Sequence, residues 1–259
     1  MDKTIDLSVS NLAATRSLHY DIALLPWGAT EPHNLHLPYL TDSILSHDIA
    51  VDAALIARTK YGLRAMVLPP VNMGSQNPGQ RQQPFCIHAR YETQRAILRD
   101  IAESLYCQGL RRLLIVNGHG GNNFRNMIRD LAVDMPDFLI ASCEWFKTAS
   151  PDGIFDIIGD HADELETSVM LHYHPELTDL NEAGPGEAPG FKAEALRRGV
   201  VWTPRDWSRA AGADTGVGDP SAATPDKGKR FAEACAESIA SAIADLCNPD
   251  GIYFRSHNS

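Results

Sequence analysis

The sequence is short of the features that mark several protein classes. Its five cysteines, at 86, 107, 143, 235 and 247, are odd in number and include no C-x-x-C pair. That argues against a disulfide framework and for reduced thiols packed as small apolar groups. No stretch of 18 apolar residues occurs, and the opening MDKTIDLSVS has no apolar h-region, so neither a membrane span nor a secretory leader is expected. Basic residues are scarce: 23 Lys and Arg stand against 33 Asp and Glu, a formal charge of −10, with no basic block. The electrostatic footprint of a nucleic-acid binder is therefore missing. Together these absences predict a cytoplasmic protein with neither nucleic acid nor membrane as a partner. Catalytic signatures are missing too, since no Gly-x-Ser-x-Gly elbow of a serine hydrolase is present.

What is present is a chain of 259 residues, 44% hydrophobic, long enough to bury roughly three quarters of its unfolded surface. Apolar runs at 22–26 (IALLP), 65–68 (AMVL), 113–116 (LLIV) and 138–141 (FLIA) read as short buried strands. Helical patterns lie over 42–61, 91–109 and 123–135, with Gly62 and Gly109 at helix ends, and a last amphipathic helix spans 225–246. The alternation predicts an α/β fold, a doubly wound three-layer α/β/α sandwich with a mainly parallel central sheet, formed by a single domain over 1–259. Chemistry is expected at the carboxyl ends of the strands. Residues 181–229, rich in Gly, Pro and Ala without a period, read as long loops of the kind that carry function.

Three polar clusters carry candidate chemistry, and the first two stand where that fold would place a site. After the first strand, TEPHNLHLPYLTD packs Glu31, His33, His36 and Asp42 into twelve residues. Imidazole nitrogen and carboxylate oxygen suit a divalent transition metal, and Glu-x-His projects two such groups the same way from extended backbone. The alternative is that Asp42 caps the next helix and the histidines satisfy loop carbonyls. After the third strand comes VNGHGGNN, whose glycines allow close approach and leave His119 at the strand's end. It lacks the Lys-Ser/Thr of a P-loop and the third glycine of a dinucleotide fingerprint, which makes a nucleotide-binding oxidoreductase the weaker reading.

The third cluster is GDHADELETS, from Gly159 to Ser168. Asp163 and Glu164 suit the first turn of a helix through its dipole. If the segment is helical, His161 and Glu166 lie near one side of it and offer a ligand and a proton-transfer group to one site. The clusters together suffice for two divalent metal ions bridged by a carboxylate, whereas a closed structural zinc site would usually show cysteines. Such ions supply an activated water and a Lewis acid, the requirements for hydrolysing a carbonyl compound. Trp145, in Glu144-Trp145-Phe146 after the fourth strand, reads equally as a pocket wall for a flat amide and as core.

TEPHNLHLPYLTD, VNGHGGNN and HADELETSVML resemble, in this order and at these separations, the three signatures of the creatininase (creatinine amidohydrolase) family. The resemblance runs from about residue 20 to 230. It implies an α/β sandwich, two metal ions (zinc or manganese, with iron as a further choice), hydrolysis of non-peptide amides in small molecules, and a homo-oligomer, often a hexamer. It implies further that Glu31, Asp42 and His119 hold one metal, and that His33 and a bridging Asp42 hold the second with Glu166, or Glu164 in its place. His161 resembles the family's acid/base histidine, and Gly216-Val217-Gly218-Asp219-Pro220 a family loop near the site.

The departures from the family pattern are informative. Gly120 and Gly121 stand where true creatininases carry a Tyr and a metal-binding Glu, and they are candidate substrate contacts here. The glycine version resembles the branch of formylamide hydrolases of flavin and deazaflavin biosynthesis and of the peptide-trimming member of mycofactocin maturation, which points away from creatinine. Pro32, Asn34 and Leu35 replace the more usual Gln, Gly and Pro. The segment MGSQNPGQRQQPFCIHARYE lacks the usual His and Gly-Thr, so the pocket wall is expected to differ, with His88 a candidate substitute. A non-catalytic small-molecule binding protein on the same fold is the alternative from another class.

Overall fold

The structure is a computed structural model that describes residues 2–252. After a short helical turn, α1 (Leu12–Thr15), the chain enters β1 (Ile22–Trp27), which is buried at every position. Three more strands follow, β2 (Ala65–Val67), β3 (Arg112–Asn117) and β4 (Leu139–Glu144), all parallel and in the order β2-β1-β3-β4. Strand β4 runs on past the apolar 138–141 stretch because its pairing with β3 continues to Asn117 opposite Glu144.

Near-continuous apolar strands demand cover on both faces. On one face Ile22, Leu24, Leu114 and Val116 join Ile49 and Ala53 of α2 (Thr41–Tyr61) and Ile239 and Ile243 of α8 (Pro225–Leu246) in one core. On the other, Ala23, Leu25, Trp27, Leu113 and Ile115 join Leu98 of α3 (Tyr91–Cys107) and Met127 and Leu131 of α4 (Arg125–Asp134). The result is the expected three-layer α/β fold. Helix α5 (Glu164–Tyr173) packs on α8 so closely that a Cβ at Gly228 would run into the Ser168 carbonyl.

Two helix ends matter for the site. Helix α2 stops at Gly62, in the left-handed region at φ 71°, but no side chain caps its start, so Asp42 in its first turn is free for another role. Thr224 caps α8 by accepting from the Lys227 amide, and Pro225 takes the first helical position. Residues 181–224 hold only short helices, among them α6 (Glu194–Arg197) and α7 (Trp207–Ala210). All five cysteines are free, and no described helix is long and apolar enough to cross a membrane.

The strand order locates the chemistry. From β1 the chain leaves toward β2 on one side, and from β3 toward β4 on the other, so a crevice opens between the carboxyl ends of β1 and β3.

Candidate metal centre

Into that crevice the chain delivers six titratable side chains from three segments. Beyond β1 it doubles back, with the Glu31 amide donating to the Tyr39 carbonyl (3.1 Å) and Asn34 turning at φ 54°. This brings Asp42, at the head of α2, against Glu31 and His33. His119 follows β3. His161 and Glu166 arrive through a turn rather than along one helix, because Ala162 adopts φ 49° and α5 begins only at Glu164, capped by Asp163. Ligand atoms of Glu31, Asp42 and His119 lie within 4.8 Å of one another, as do those of His33, Asp42 and Glu166 and those of Glu31, His33 and His161. All but Glu166 are buried.

The three imidazoles share one arrangement. His33 donates from Nδ1 to the Glu31 carbonyl (3.0 Å) and turns Nε2 toward Asp42 Oδ1 (3.0 Å). His119 donates from Nε2 to the Ser75 carbonyl (2.8 Å), leaving Nδ1 at 2.9 Å from Glu31 Oε1 and 3.1 Å from Asp42 Oδ2. His161 donates from Nε2 to the Pro32 carbonyl (2.9 Å), with Nδ1 at 3.8 Å from Glu31 Oε1. A backbone carbonyl thus sets each tautomer and aims the other nitrogen at the carboxylates, the usual outer support of a metal-ligating histidine. The glycine after Gly120 makes one of these bonds possible, since a Cβ at Gly121 would collide with both the Ser75 carbonyl and His119 Nε2.

The carboxylates are divided in the same way. Glu31 Oε2 accepts from Gln80 Nε2, which leaves Oε1 facing His119 and His161. Glu166 Oε2 accepts from the Ala162 amide (2.6 Å). Asp42 presents Oδ1 to His33 and Oδ2 to His119, one oxygen to each half of the site, and the buried Oδ2 has no aligned hydrogen-bond donor. Three carboxylates and three imidazoles with such an open oxygen fit one or more divalent cations of the nitrogen- and oxygen-preferring kind.

The ionisation of these groups follows from the crowding. Burial works against the charge on His33 and His119, but Asp42 beside the first raises it to about 10, and Glu31 beside the second raises it well above the ordinary value. Burial likewise opposes the Asp42 charge, yet His33 and His119 hold that carboxyl below its ordinary range. Glu166 is pushed up to about 8, by burial and then by Asp42 and Asp163 against the pull of His33. Burial, and then the charge on His33, lowers His161.

Other expected residues fall outside the cluster. Glu164 takes the Asp156 and Ile157 amides on Oε2 and Lys227 on Oε1, so it braces a loop while Glu166 faces the site. His36, lowered to about 4 by burial and the nearby His33, bonds Thr167 (2.8 Å) and joins no candidate ligand group. Trp145 is a correction: it is fully buried in the core against Phe146 and Phe231, because α8 covers it, and it forms no pocket wall. Gly120 and Gly121 are exposed beside His119, and the Gly216–Pro220 loop reaches the site where Val217 pairs with His161. Two neighbours had no sequence signal. Gln80 grips Glu31, and Trp207 of α7 sets its ring edge-on to His161 at 5.5 Å.

Comparison with known proteins agrees with this arrangement. The family model Creatininase, described as creatinine amidohydrolase, matches residues 6–243. A crystal structure of a Bacteroides fragilis NCTC 9343 protein, provisionally called a creatinine amidohydrolase, superposes with a TM-score of 0.93 at 56% identity, covering 95% of this chain and 98% of that one. A structure of the manganese form of creatininase superposes with a TM-score of 0.75 at 22% identity over 95% of this chain and 100% of that one. The mycofactocin precursor peptide peptidase of Mycobacterium ulcerans is 33% identical over 242 residues, 88% of this chain and 87% of that protein. Matched along most of its length by the family model and a third identical to a curated relative, this chain belongs to the creatininase family of hydrolases.

Proposed function

We propose that the chain is a dinuclear metal-dependent amidohydrolase that cleaves the C–N bond of a small cyclic or linear amide. The observation that carries this reading is the split of Asp42, which offers one oxygen to the His119 and Glu31 group and the other to the His33 and Glu166 group. Glu31, Asp42 and His119 would hold one ion, and His33, Asp42 and Glu166 the other. Zinc and manganese suit this donor set, with iron the next choice. When bound, two such cations supply an activated water and polarise the amide carbonyl. The backbone carbonyls of Glu31 and Ser75 keep His33 and His119 in their ligating tautomers, and Gln80 keeps Glu31 Oε1 turned inward.

His161 is the proton carrier of this proposal. Its Nε2–H is committed to Pro32, and burial keeps the ring neutral, so Nδ1 is the atom that takes a proton and passes it to the leaving nitrogen. Trp207 closes one side of the ring and excludes water there. A linear peptide amide is a second substrate reading, favoured by the peptide peptidase at 33% identity. The homo-oligomer, a hexamer, that the family resemblance implies belongs to the same proposal and is read by light scattering.

Elemental analysis for Zn, Mn and Fe, paired with hydrolysis assays on creatinine, formamides, lactams and dipeptides before and after chelation, tests the reading. The expected outcome is about two ions per chain and chelator-sensitive hydrolysis. Asp42→Ala should lose metal and activity together, and stoichiometric metal in that variant would overturn the assignment. His161→Ala should keep its metal while kcat falls by about 10²- to 10⁴-fold, and a matching loss of metal would make His161 a ligand instead.

A further inference from the structure

Beside the centre lies an open cavity of about 420 Å³, lined by Arg81, Cys86, Ile87, His88 and Arg90. Its size is that of a small-molecule site. Its walls are tied to the Glu31 and His119 side of the centre one residue at a time. Arg81 follows Gln80, which grips Glu31. The Ile87 amide donates to the carbonyl of Thr30 (2.9 Å), the residue before Glu31. His88 pairs with Gly74, the residue before Ser75, whose carbonyl holds His119. Cys86 lies within the electrostatic reach of both: burial pushes its thiol up to about 12, Glu31 adds to the rise and His119 opposes it.

The charge of this cavity runs against that of the molecule. In a chain of net charge −10, its lining holds two guanidinium groups and no carboxylate. Arg81 and Arg90 form no ion pair with an acidic side chain among the described residues, a state they share with several other arginines, but these two line the same cavity. The two converge on His88, which burial and then both arginines lower. His88 Nδ1 accepts from the Gln76 amide (2.9 Å), which leaves its Nε2–H as a third donor. Unpaired guanidinium groups around a concave wall are arranged for anionic oxygens, which they bind by charge-assisted and often bidentate hydrogen bonds.

We infer that the substrate is an anionic amide whose carboxylate or phosphate group is held by Arg81 and Arg90 while its amide carbonyl lies at Glu31, Asp42 and His119. This rests on the amidohydrolase reading and adds to it the charge and position of the substrate's second anchor.

Calorimetry on the zinc-loaded protein at low ionic strength tests the inference with hippurate, an amide with a carboxylate, against neutral hippuramide, and with inorganic phosphate as competitor. Hippurate should bind about tenfold more tightly than hippuramide. In R81A/R90A that preference should fall to within about twofold, because exposed arginines contribute their charge rather than packing. Melting temperature and zinc content should not change. Displacement of hippurate by phosphate in the parent, and not in the variant, would identify the anchor as one for phosphate as well as carboxylate. Equal affinities in the parent, or a preference that persists in the variant because the carboxylate sits on the metal, would overturn the inference. Zinc loading and chelation separate the two proposals: a protein that takes up no zinc refutes the centre, whereas a hippurate preference that disappears when zinc is chelated places the carboxylate on the metal and refutes the anchor.

Discussion

At the scale of single residues, Gln80 holds the carboxylate proposed as a metal ligand from outside the cluster. A carboxylate free to rotate would offer either oxygen to a cation. With Oε2 held by Gln80, Glu31 offers only Oε1, in line with His119 and His161. Replacing Gln80 with Leu keeps the volume near the original but frees that oxygen. The expected cost is about 10- to 100-fold in metal affinity or kcat, with an unchanged melting temperature in the metal-free protein. Isothermal titration with zinc and steady-state kinetics check it, and wild-type values for both would remove Gln80 from the site. Nothing in the sequence marked this residue, because it lies in a Gly- and Pro-rich stretch without periodicity, 49 positions beyond Glu31. Glu31, His33, Asp42 and His119 were legible for the opposite reason, since each sits in a dense polar cluster directly after an apolar run. Glu164 and Glu166 were not separable by spacing, and only Lys227, arriving from α8, shows which one is committed elsewhere.

At the scale of elements, the centre depends on how α5 and α8 meet. Helix α5 carries Glu166, and α8 supports α5 through the close approach at Gly228. Glycine in a helix interior costs about 1 kcal/mol relative to alanine, so on propensity alone Gly228→Ala should stabilise. The collision of the new methyl with the Ser168 carbonyl predicts the reverse, a net loss of about 1–3 kcal/mol as the helices separate. Thermal denaturation decides between the two signs, and weaker metal binding should accompany the loss because Glu166 moves with α5. The sequence announced α8 correctly from its apolar spacing, over the same residues, 225–246, that the structure shows. It left Trp145 undecided, since a tryptophan after a strand reads alike as wall or core. Phe231 of α8 settles that choice by packing against it.

At the scale of the whole molecule, the buried charges couple stability to metal and to pH. Without cations the site holds three carboxylates inside the protein, balanced by protons on His33 and His119 and on Glu166. A cation that binds the folded state alone stabilises it, by about 2.7 kcal/mol at 100 times its dissociation constant. Chelation should therefore lower the melting temperature. The sign with pH follows from the raised values. His33, at about 10, and Glu166, at about 8, carry protons at neutral pH in the metal-free protein and must lose them to ligate. Metal affinity, and with it the melting-temperature gap between loaded and chelated protein, should grow as pH rises from 6 toward 9. Differential scanning fluorimetry across that range reads it, and a gap that shrinks with pH would contradict the assignment of these groups as ligands.

The sequence by itself determined the layered α/β fold, because continuous apolar strands alternating with amphipathic helices have few other ways to bury both faces. It also determined that two polar clusters directly follow apolar strands and that a third opens a helix, since those are local facts of pattern. The tertiary structure alone decided which side chains meet. The order β2-β1-β3-β4 brings Glu31 and His119 to one crevice, the turn at Ala162 adds His161 and Glu166, and the 76–90 segment folds back with Gln80 and the two unpaired arginines. Those contacts join residues far apart in the chain, and such pairings are set by packing across the whole molecule rather than by any local preference.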